Sequence, residues 1–303
     1  KLQEASWEQA FAVIAERMKA LKPEEMAALA GNTACAESVM VLKDVLDALG
    51  VNNRDCRQEG AKIDGANRAH YLFNTTIAGI EQADVCLLVG VNPRREASMV
   101  NARIRKAWLN NGLRVYNLGN ENDLAYPYEH LGSDPRLLAE MATGKHPMAD
   151  ILAKAKNPMI ILGSAAIARN DGGEVLAAAL ALVERTKMVR SDWNGFNFLH
   201  HAAGRVGALD LGFIPAKGGK DIAEIFEGCA SGATKLVYLL GADEFDMNLL
   251  GKSFVIYQGH HGDDGAHRAD VVLPGAAYTE KEATYVNLEG RVQQTKQAVF
   301  PPG

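Results

Sequence analysis

The sequence is poor in cysteine, and its cysteines are scattered. Cys35, Cys56, Cys86 and Cys229 include no C-x-x-C pair, and no histidine stands at metal-ligand spacing from any of them. Zinc ribbons and iron-sulfur clusters need thiolates that are gathered in short loops. The spacing therefore argues against both kinds of centre, and we expect buried, reduced thiols without disulfides, in a reducing compartment.

Long apolar runs and a surplus of basic charge are also missing. No stretch approaches the roughly 18 charge-free apolar residues that a membrane-spanning helix needs. The 32 Lys and Arg residues are outnumbered by 37 Asp and Glu residues, which gives a formal net charge of -5. Such a balance provides no field that would gather nucleic acid or an anionic membrane. We therefore expect no nucleic-acid partner and no direct membrane insertion.

Seven short apolar runs that end in glycine set the pattern of the chain. An uninterrupted apolar run is buried on both faces, as in a parallel sheet that helices cover on both sides. Helical sequence separates most of the runs, so a doubly wound α/β fold with mostly parallel sheets is predicted, and its ligands would bind beyond the carboxyl ends of the strands. The runs are 26–31, 83–90, 114–119, 159–163, 236–241, 254–259 and 271–275.

Helix signals lie between these runs. Ser6 is predicted to cap the first helix, with Gln9 completing a capping box. Gly50 is predicted as the left-handed cap at the end of the second helix. Residues 51–82 have the composition of a linker into a new unit, and residues 120–147 and 192–219 are predicted to be long and loop-rich. The other predicted helices are 35–49, 75–83, 97–110, a segment ending at 155, and 173–185.

Three local patterns have both a functional and a structural interpretation. The turn at residues 31–33 could hold a phosphate on free N–H groups, but it is neither G-x-G-x-x-G nor a P-loop. The three His and three Asp of residues 260–270 could be drawn as a metal site, but adjacent His in a glycine-rich loop rarely converge on one ion. Arg103, Arg105 and Lys106 could meet an anion or a subunit. The structural interpretation is favoured each time, and we predict no catalytic and no metal-binding residue.

The last part of the chain is the most specific. Residues 269–293 resemble the A-D-V-x-L-P and E-x-x-G-T-x-x-N-x-E-G-R-x-Q pattern of the molybdopterin oxidoreductase superfamily, and residues 84–93 resemble that family's strand ending in G-x-N-P. One branch is especially similar, the large iron-sulfur subunit (the G subunit or chain 3 in bacteria) of NADH:quinone oxidoreductase, respiratory complex I. The segments that carry this likeness are 92–96, 101–106 and 257–263.

This resemblance implies two Rossmann-like α/β domains, one made of residues 1–65 and 233–303 and the other of the inserted residues 66–232. It implies that the chain is a fragment of a longer subunit whose 2Fe-2S and 4Fe-4S clusters lie outside it, because the chain lacks the cluster motif and an initiating Met and ends where the family would continue. The implied partners are other peripheral-arm subunits of complex I. The implied location is the cytoplasmic side of a bacterial inner membrane, or the matrix side in a mitochondrion.

The resemblance also raises the question of the superfamily's molybdenum chemistry. Those enzymes supply a Cys, selenocysteine, Ser or Asp ligand near the start of this domain and bind a pterin dinucleotide through strand-end loops. Cys35 stands here without the family's ligand context, and Ala283 stands where the family usually has Gly. We therefore expect a non-catalytic scaffold that has lost the cofactor.

Four residues are candidates for a vestigial pterin cleft: Gly90, Asn92, Asn287 and Arg291. The structural alternative is that the amides of Asn92 and Asn287, with a Glu289-Arg291 pair, satisfy backbone groups and close loops. Two other functions stay open, a molybdopterin-dependent oxidoreductase that still binds the pterin dinucleotide, and a nucleotide-binding α/β domain of the kind found in thiamine-diphosphate enzymes. Bound molybdenum and pterin, or stabilisation by a nucleotide or flavin, would distinguish them from the scaffold.

Overall fold

The computed structural model describes residues 2–63 and 65–302, which form two compact α/β units. The first unit contains the residues up to Gly60, Ala202–Asn287 and the residues from Arg291 onward. The second contains Ala61–His201 and Leu288–Gly290. Each unit has its own five-stranded sheet.

The strands and helices alternate along most of the chain. In chain order the strands are β1 (Met26–Ala30), β2 (Arg54–Asp55), β3 (Val85–Val89), β4 (Arg114–Leu118), β5 (Glu129–Gly132), β6 (Pro158–Gly163), β7 (Phe196–Leu199), β8 (Leu236–Leu240), β9 (Phe254–Gly259), β10 (Val271–Pro274), β11 (Thr284–Val286) and β12 (Val292–Gln294). The α-helices are α1 (Trp7–Lys19), α2 (Ala36–Ala48), α3 (Pro93–Glu96), α4 (Ser98–Asn111), α5 (Arg136–Thr143), α6 (Met148–Lys154), α7 (Ser164–Ile167), α8 (Gly172–Arg185), α9 (Arg205–Asp210), α10 (Ile222–Ser231) and α11 (Asp264–Arg268). Within the described ranges, none of the helices is long and apolar enough to cross a membrane.

The sheet of the first unit has the order β10-β9-β8-β1-β2, and every neighbouring pair is parallel. All five residues of β1 are buried, as expected for an apolar strand with helices on both faces. On one face α10 packs against the sheet through Ile222, Ile225 and Cys229. The antiparallel hairpin of β11 and β12 lies outside this sheet.

The sheet of the second unit has the order β5-β4-β3-β6-β7 and is again parallel throughout. β3 occupies its centre and is completely buried. Ile104 and Val100 of α4 join Cys86 and Leu88 of β3 in one apolar core.

All seven glycine-terminated runs form strands, and the predicted mostly parallel α/β fold class is confirmed. The capping box is confirmed as well, because Gln9 N–H donates to Ser6 Oγ at 3.3 Å and Ser6 N–H donates to Gln9 Oε1 at 2.8 Å. Gly50 has φ +70 and directly follows Leu49, the C-cap residue of α2, as predicted.

The structure differs in the stretches that were predicted to be irregular. The linker prediction for residues 51–82 is wrong at its start, because Arg54–Asp55 forms β2 beside β1 and Asn53 Nδ2 donates to Met26 O at 2.9 Å. Residues 120–147 contain β5 and α5, and residues 192–219 contain β7 and α9. The helix predicted at 75–83 is a 3-10 helix, Ala78–Gln82. These strands and helices are short, and tertiary contacts rather than local sequence patterns determine where they form.

Residues 202–232 pack within the first unit, although the expected boundary placed them among the inserted residues. Gly204 N–H donates to Asn32 O at 2.8 Å, and α10 supplies part of the core of this unit. These contacts join residues far apart in the chain, which local sequence patterns do not report. The expected division at 65/66 and 232/233 stays a prediction.

Candidate functional site

A cleft opens at the carboxyl ends of the strands in the second unit. From β3 the chain continues to β4 on one side and later to β6 on the other, and this change of direction is where open α/β sheets bind ligands. The cleft has a volume of about 300 Å³. Its lining includes Gly90 and Asn92 after β3, Gly119 and Asn122 after β4, and Ala166 in α7.

The glycines of this cleft are required by the packing of the chain on itself. Gly90 has φ +56, and a Cβ at that position would lie 2.6 Å from the Cβ of Ala166. A Cβ on Gly163 would lie 2.5 Å from the carbonyl oxygen of Gly90. Real Cβ atoms do not approach so closely, so a side chain at either position would displace the loops after β3 and β6. Glycine at these two strand ends is therefore explained without a ligand.

Asn92 and Glu96 satisfy the backbone at the end of β3. Asn92 Oδ1 accepts the N–H of Arg95 at 3.3 Å and caps α3. The N–H of Asn92 donates to Glu96 Oε1 at 2.7 Å, and Nε2 of His201 lies 3.0 Å from Glu96 Oε2. Burial raises the pKa of Glu96, but the contacts with His201 and the Asn92 N–H together lower it by more than burial raises it. The pKa therefore lies below its ordinary value of 4.5. The ionised carboxylate of Glu96 thus accepts the hydrogen bond that the Asn92 N–H could otherwise donate to a ligand.

A network of amide side chains fixes the loop after β4. Asn117 is fully buried, and its Nδ2 donates to Asn120 O at 2.8 Å. Asn122 Nδ2 donates to Val91 O at 3.0 Å and to Asn117 Oδ1 at 3.3 Å. Sequence reasoning missed this network. The signal that could have found it is Asn117 itself, a polar residue inside an apolar run.

The strand ends of the first unit enclose a smaller pocket of about 190 Å³. Its lining includes Thr33 after β1, Gly241 after β8, His260 after β9, and Lys281. Burial and the neighbouring His261 lower the pKa of His260.

The first two residues of the turn at residues 31–33 pack against other parts of the first unit. A Cβ on Gly31 would lie 1.7 Å from the carbonyl oxygen of Gly241. Asn32 O accepts the N–H of Gly204 at 2.8 Å, and Asn32 Oδ1 accepts Arg205 Nη2 at 3.3 Å. The turn considered as a phosphate loop therefore serves as a packing site for α9.

Asn287 and Arg291 close the turn between β11 and β12. Asn287 N–H donates to Arg291 O at 2.9 Å, and Asn287 Oδ1 accepts the N–H of Arg291 at 2.9 Å. The side chain of Arg291 is exposed. The structure thus brings Asn287 together with Arg291 in the first unit, and Gly90 together with Asn92 in the second. Glu289 belongs to the second unit, where its Oε1 accepts the N–H of Ile77 at 2.6 Å.

Among the residues that the structure describes, no cysteine lines either strand-end cavity. Cys35, the thiol nearest the start of the chain, is only 3% exposed, and its Sγ lies 3.1 Å from Ser38 Oγ. It is absent from the lining of the 190 Å³ pocket. Small-molecule sites usually have about 300 to 1,000 Å³, so the two cavities are at or below the lower limit. In residues 2–63 and 65–302, no three His, Cys, Asp or Glu are grouped so that they could hold a metal ion.

Comparison with known proteins connects this fold to one family. The family model described as Molybdopterin oxidoreductase matches residues 1–303. The chain is 44% identical over 303 residues to the G subunit of the NADH-quinone oxidoreductase of Rickettsia bellii (strain RML369-C), and 45% identical over 304 residues to that of Rickettsia felis (strain ATCC VR-1525 / URRWXCal2). All of this chain is covered in both comparisons, but only 43% of each relative. The chain therefore spans less than half the length of these relatives.

Two solved structures have a similar fold. The formyltransferase/hydrolase complex (FhcABCD) from Methylorubrum extorquens contains a chain with a TM-score of 0.72 and 18% identity, matched over 97% of this chain and 91% of that one. Acetylene hydratase from Pelobacter acetylenicus has a TM-score of 0.73 and 14% identity over 99% of this chain and 56% of that one. At such identities the similarity shows the fold alone.

Proposed function

The chain belongs to the molybdopterin oxidoreductase family, and we propose that it is the part of an NADH-quinone oxidoreductase G subunit that serves as a non-catalytic scaffold. The support is its 44% identity to the G subunit of Rickettsia bellii over 303 residues. In this proposal, iron-sulfur clusters elsewhere in the subunit carry electrons from NADH to quinone. The partners are other peripheral-arm subunits of complex I, at the cytoplasmic face of a bacterial inner membrane or the matrix face of a mitochondrial one.

The observation that carries the proposal is the contact between Glu96 and Asn92. A dinucleotide-binding strand end offers backbone N–H groups to a phosphate. Here the carboxylate of Glu96 already accepts the N–H of Asn92 at 2.7 Å. A phosphate about 4 Å from this carboxylate would be repelled by roughly 4 kcal/mol at an effective dielectric constant of 20. One hydrogen bond to a charged group contributes only about 1.5–3 kcal/mol, so repulsion outweighs the gain.

In this proposal Gly90 and Asn92 of the second unit, and Asn287 and Arg291 of the first unit, are vestigial motif residues, and each has a structural task within its own unit. Gly90 has no side chain and so allows the close approach of Ala166, and Asn92 caps α3. The backbone of Arg291 and both the backbone and the side chain of Asn287 hold the hairpin turn. This explains how the residues of a binding motif can persist after the ligand is lost.

The alternative is a molybdopterin-dependent oxidoreductase domain that still binds its pterin dinucleotide. One observation favours it, the cleft of about 300 Å³ at the change of strand direction in the second unit. It would require that Glu96 leave the N–H of Asn92 when the ligand binds.

Metal and pterin content decides between the two functions. The protein is produced in a host that loads an authentic molybdopterin enzyme in parallel, and molybdenum is measured by elemental analysis and pterin by fluorescence of its oxidised form after denaturation. The scaffold predicts background levels of both, whereas stoichiometric molybdenum or pterin contradicts it. A nucleotide and flavin panel is tested by thermal unfolding, because a ligand at 100 times its Kd adds about 2.7 kcal/mol to stability.

A further inference from the structure

A groove in the first unit is lined mainly by apolar side chains. It has a volume of about 440 Å³ and is bounded by α1, α2 and the sheet. Both helices and the sheet contribute to it, among other residues through Phe11, Ile14, Val41, Val45, Ile256 and Leu273.

The groove exists because the helical layer is open over the middle of the sheet. α1 contacts the edge strand β10, whereas α2 connects β1 to β2 at the opposite edge. Between them, Leu236 and Tyr238 of β8 and Ile256 of β9 line the groove. A parallel sheet normally has helices on both faces. On this face the cover is incomplete.

The helices beside the groove keep large apolar side chains in contact with solvent. None of the 13 residues of α1 is buried, although its sequence has the apolar face of an amphipathic helix. Phe11 is 53% exposed, Val45 47% and Val41 63%. A contiguous apolar patch of this kind marks an interaction site, whereas single exposed apolar residues are ordinary.

The polar groups in the lining already have partners. Tyr238 Oη donates to Gln258 Oε1 at 2.6 Å. Glu37 accepts the N–H of Thr284 at 2.9 and 3.0 Å. An apolar occupant could therefore cover the groove without leaving these groups unsatisfied. A polar ligand would gain little, because these groups already have hydrogen-bond partners.

We propose that this groove is the docking site of an amphipathic helix from the same polypeptide, in the part expected to follow residue 303. Apolar side chains at positions i, i+3, i+4 and i+7 of such a helix would enter the groove. The proposal depends on the proposed function only in treating this chain as part of a longer subunit, and the relatives support that, because the chain covers 43% of their length.

The last described residues pack beside the strand-end pocket that adjoins the groove. Ser38 and Gln258 line both the groove and the strand-end pocket, whose lining also includes Tyr278. The carbonyl oxygen of the next residue, Thr279, accepts the N–H groups of Ala298 and Val299 at 2.8 and 3.1 Å. A segment tethered so closely has an effective concentration of the order of millimolar, so even a weakly apolar helix would dock.

The test is the accessibility of a thiol placed in the groove of the full-length subunit. Val41→Cys is compared with Leu109→Cys, which lies on α4 of the second unit, because both native side chains are more than half exposed here. The modified peptides are quantified by mass spectrometry, so cysteines elsewhere do not interfere. We expect Val41→Cys to be alkylated at least about tenfold more slowly than Leu109→Cys, as for a site that opens only by local unfolding. Equal rates overturn the proposal.

Two further measurements identify the occupant. The slow reaction of Val41→Cys should persist when the isolated subunit is diluted, and it should become fast when the polypeptide is cut after residue 303. Fast reaction on dilution means that a separate chain covers the groove, which also overturns the proposal. Pterin content is independent of both results: bound pterin with a shielded Val41→Cys contradicts only the scaffold function, and no pterin with a reactive Val41→Cys contradicts only the docking.

Discussion

Arg205 and Glu59 form a two-pronged ion pair, in which Nη1 and Nη2 of Arg205 each donate to a carboxylate oxygen of Glu59 at 2.6 Å. The side chain of Arg205 is only 2% exposed, whereas that of Glu59 is 34% exposed. The pair joins α9 to the segment that follows β2, across 146 residues of sequence. It is one reason why α9 packs with the first unit.

Removing the acidic partner should destabilise the first unit strongly. Glu59→Ala leaves the guanidinium of Arg205 buried without its carboxylate. Removing one partner of a fully buried pair costs about 3–5 kcal/mol, and the partial exposure of Glu59 lowers this cost. We expect a loss of about 2–3 kcal/mol in the free energy of unfolding, measured by urea denaturation followed by circular dichroism.

The matched control is Glu282→Ala, in the same unit. Glu282 pairs with Lys296 at 3.1 Å, but their side chains are 56% and 73% exposed. An exposed pair contributes at most about 1 kcal/mol. Similar losses in the two variants would show that burial of Arg205 does not matter.

The interior of both sheets could be predicted from the sequence, whereas most of the edges could not. Central strands such as β1 and β3 are buried on both faces and therefore leave an uninterrupted apolar run. The three missed strands of these sheets, β2, β5 and β7, all lie at edges. Their sequences, Arg-Asp, Glu-His-Leu-Gly and Phe-Asn-Phe-Leu, include polar residues that interrupt the apolar pattern.

Only the parts of the candidate site whose residues are close in the sequence could be predicted to lie together. Gly90 and Asn92 lie together, and so do Asn287 and Arg291, because each pair is nearly adjacent in the chain. His201 reaches Glu96 only through the fold. Sequence position alone gave no sign that these two side chains meet, or that Glu96 accepts the backbone N–H of Asn92.

Gly31→Ala should disrupt the first unit. The new Cβ would lie 1.7 Å from the carbonyl oxygen of Gly241, and backbone of two neighbouring strands has little freedom to move. Overpacking usually costs about 1–3 kcal/mol, and a backbone clash belongs at or above the upper end. Gly262→Ala is the control, because no atom lies within 4 Å of its added Cβ. Urea denaturation of both variants measures the difference, and equal stabilities would contradict the close approach.

The four thiols should resist alkylation in the folded chain. All four cysteines are buried, and burial raises the pKa of Cys56 to about 12 and also raises the pKa of Cys86. Because the thiolate is the reactive form, iodoacetamide at neutral pH should modify none of them quickly. In urea all four should react, as counted by intact mass. A native thiol that reacts as fast as free cysteine would show that this core opens readily.

Glu96→Gln should change the pH dependence of stability. The pKa of Glu96 in the folded chain lies below its ordinary value of 4.5. Its ionised form therefore stabilises the fold above that ordinary value, and this contribution is lost as pH falls through the folded pKa. The wild-type advantage over the variant should therefore be constant near neutral pH and shrink in acid. Urea denaturation from neutral pH into acid measures it, and a constant difference throughout would contradict the assignment.

The same variant tests whether Glu96 acts as an internal anion. Glutamine can still accept the N–H of Asn92 but carries no charge, so the repulsion of an added phosphate is removed while the loop is kept. We expect inorganic phosphate to raise the unfolding temperature of Glu96→Gln and to leave the wild-type protein unchanged at equal ionic strength, with sodium chloride as the control salt. If phosphate stabilises both proteins equally, the carboxylate does not exclude phosphate from the cleft, and the proposed loss of the cofactor needs another cause.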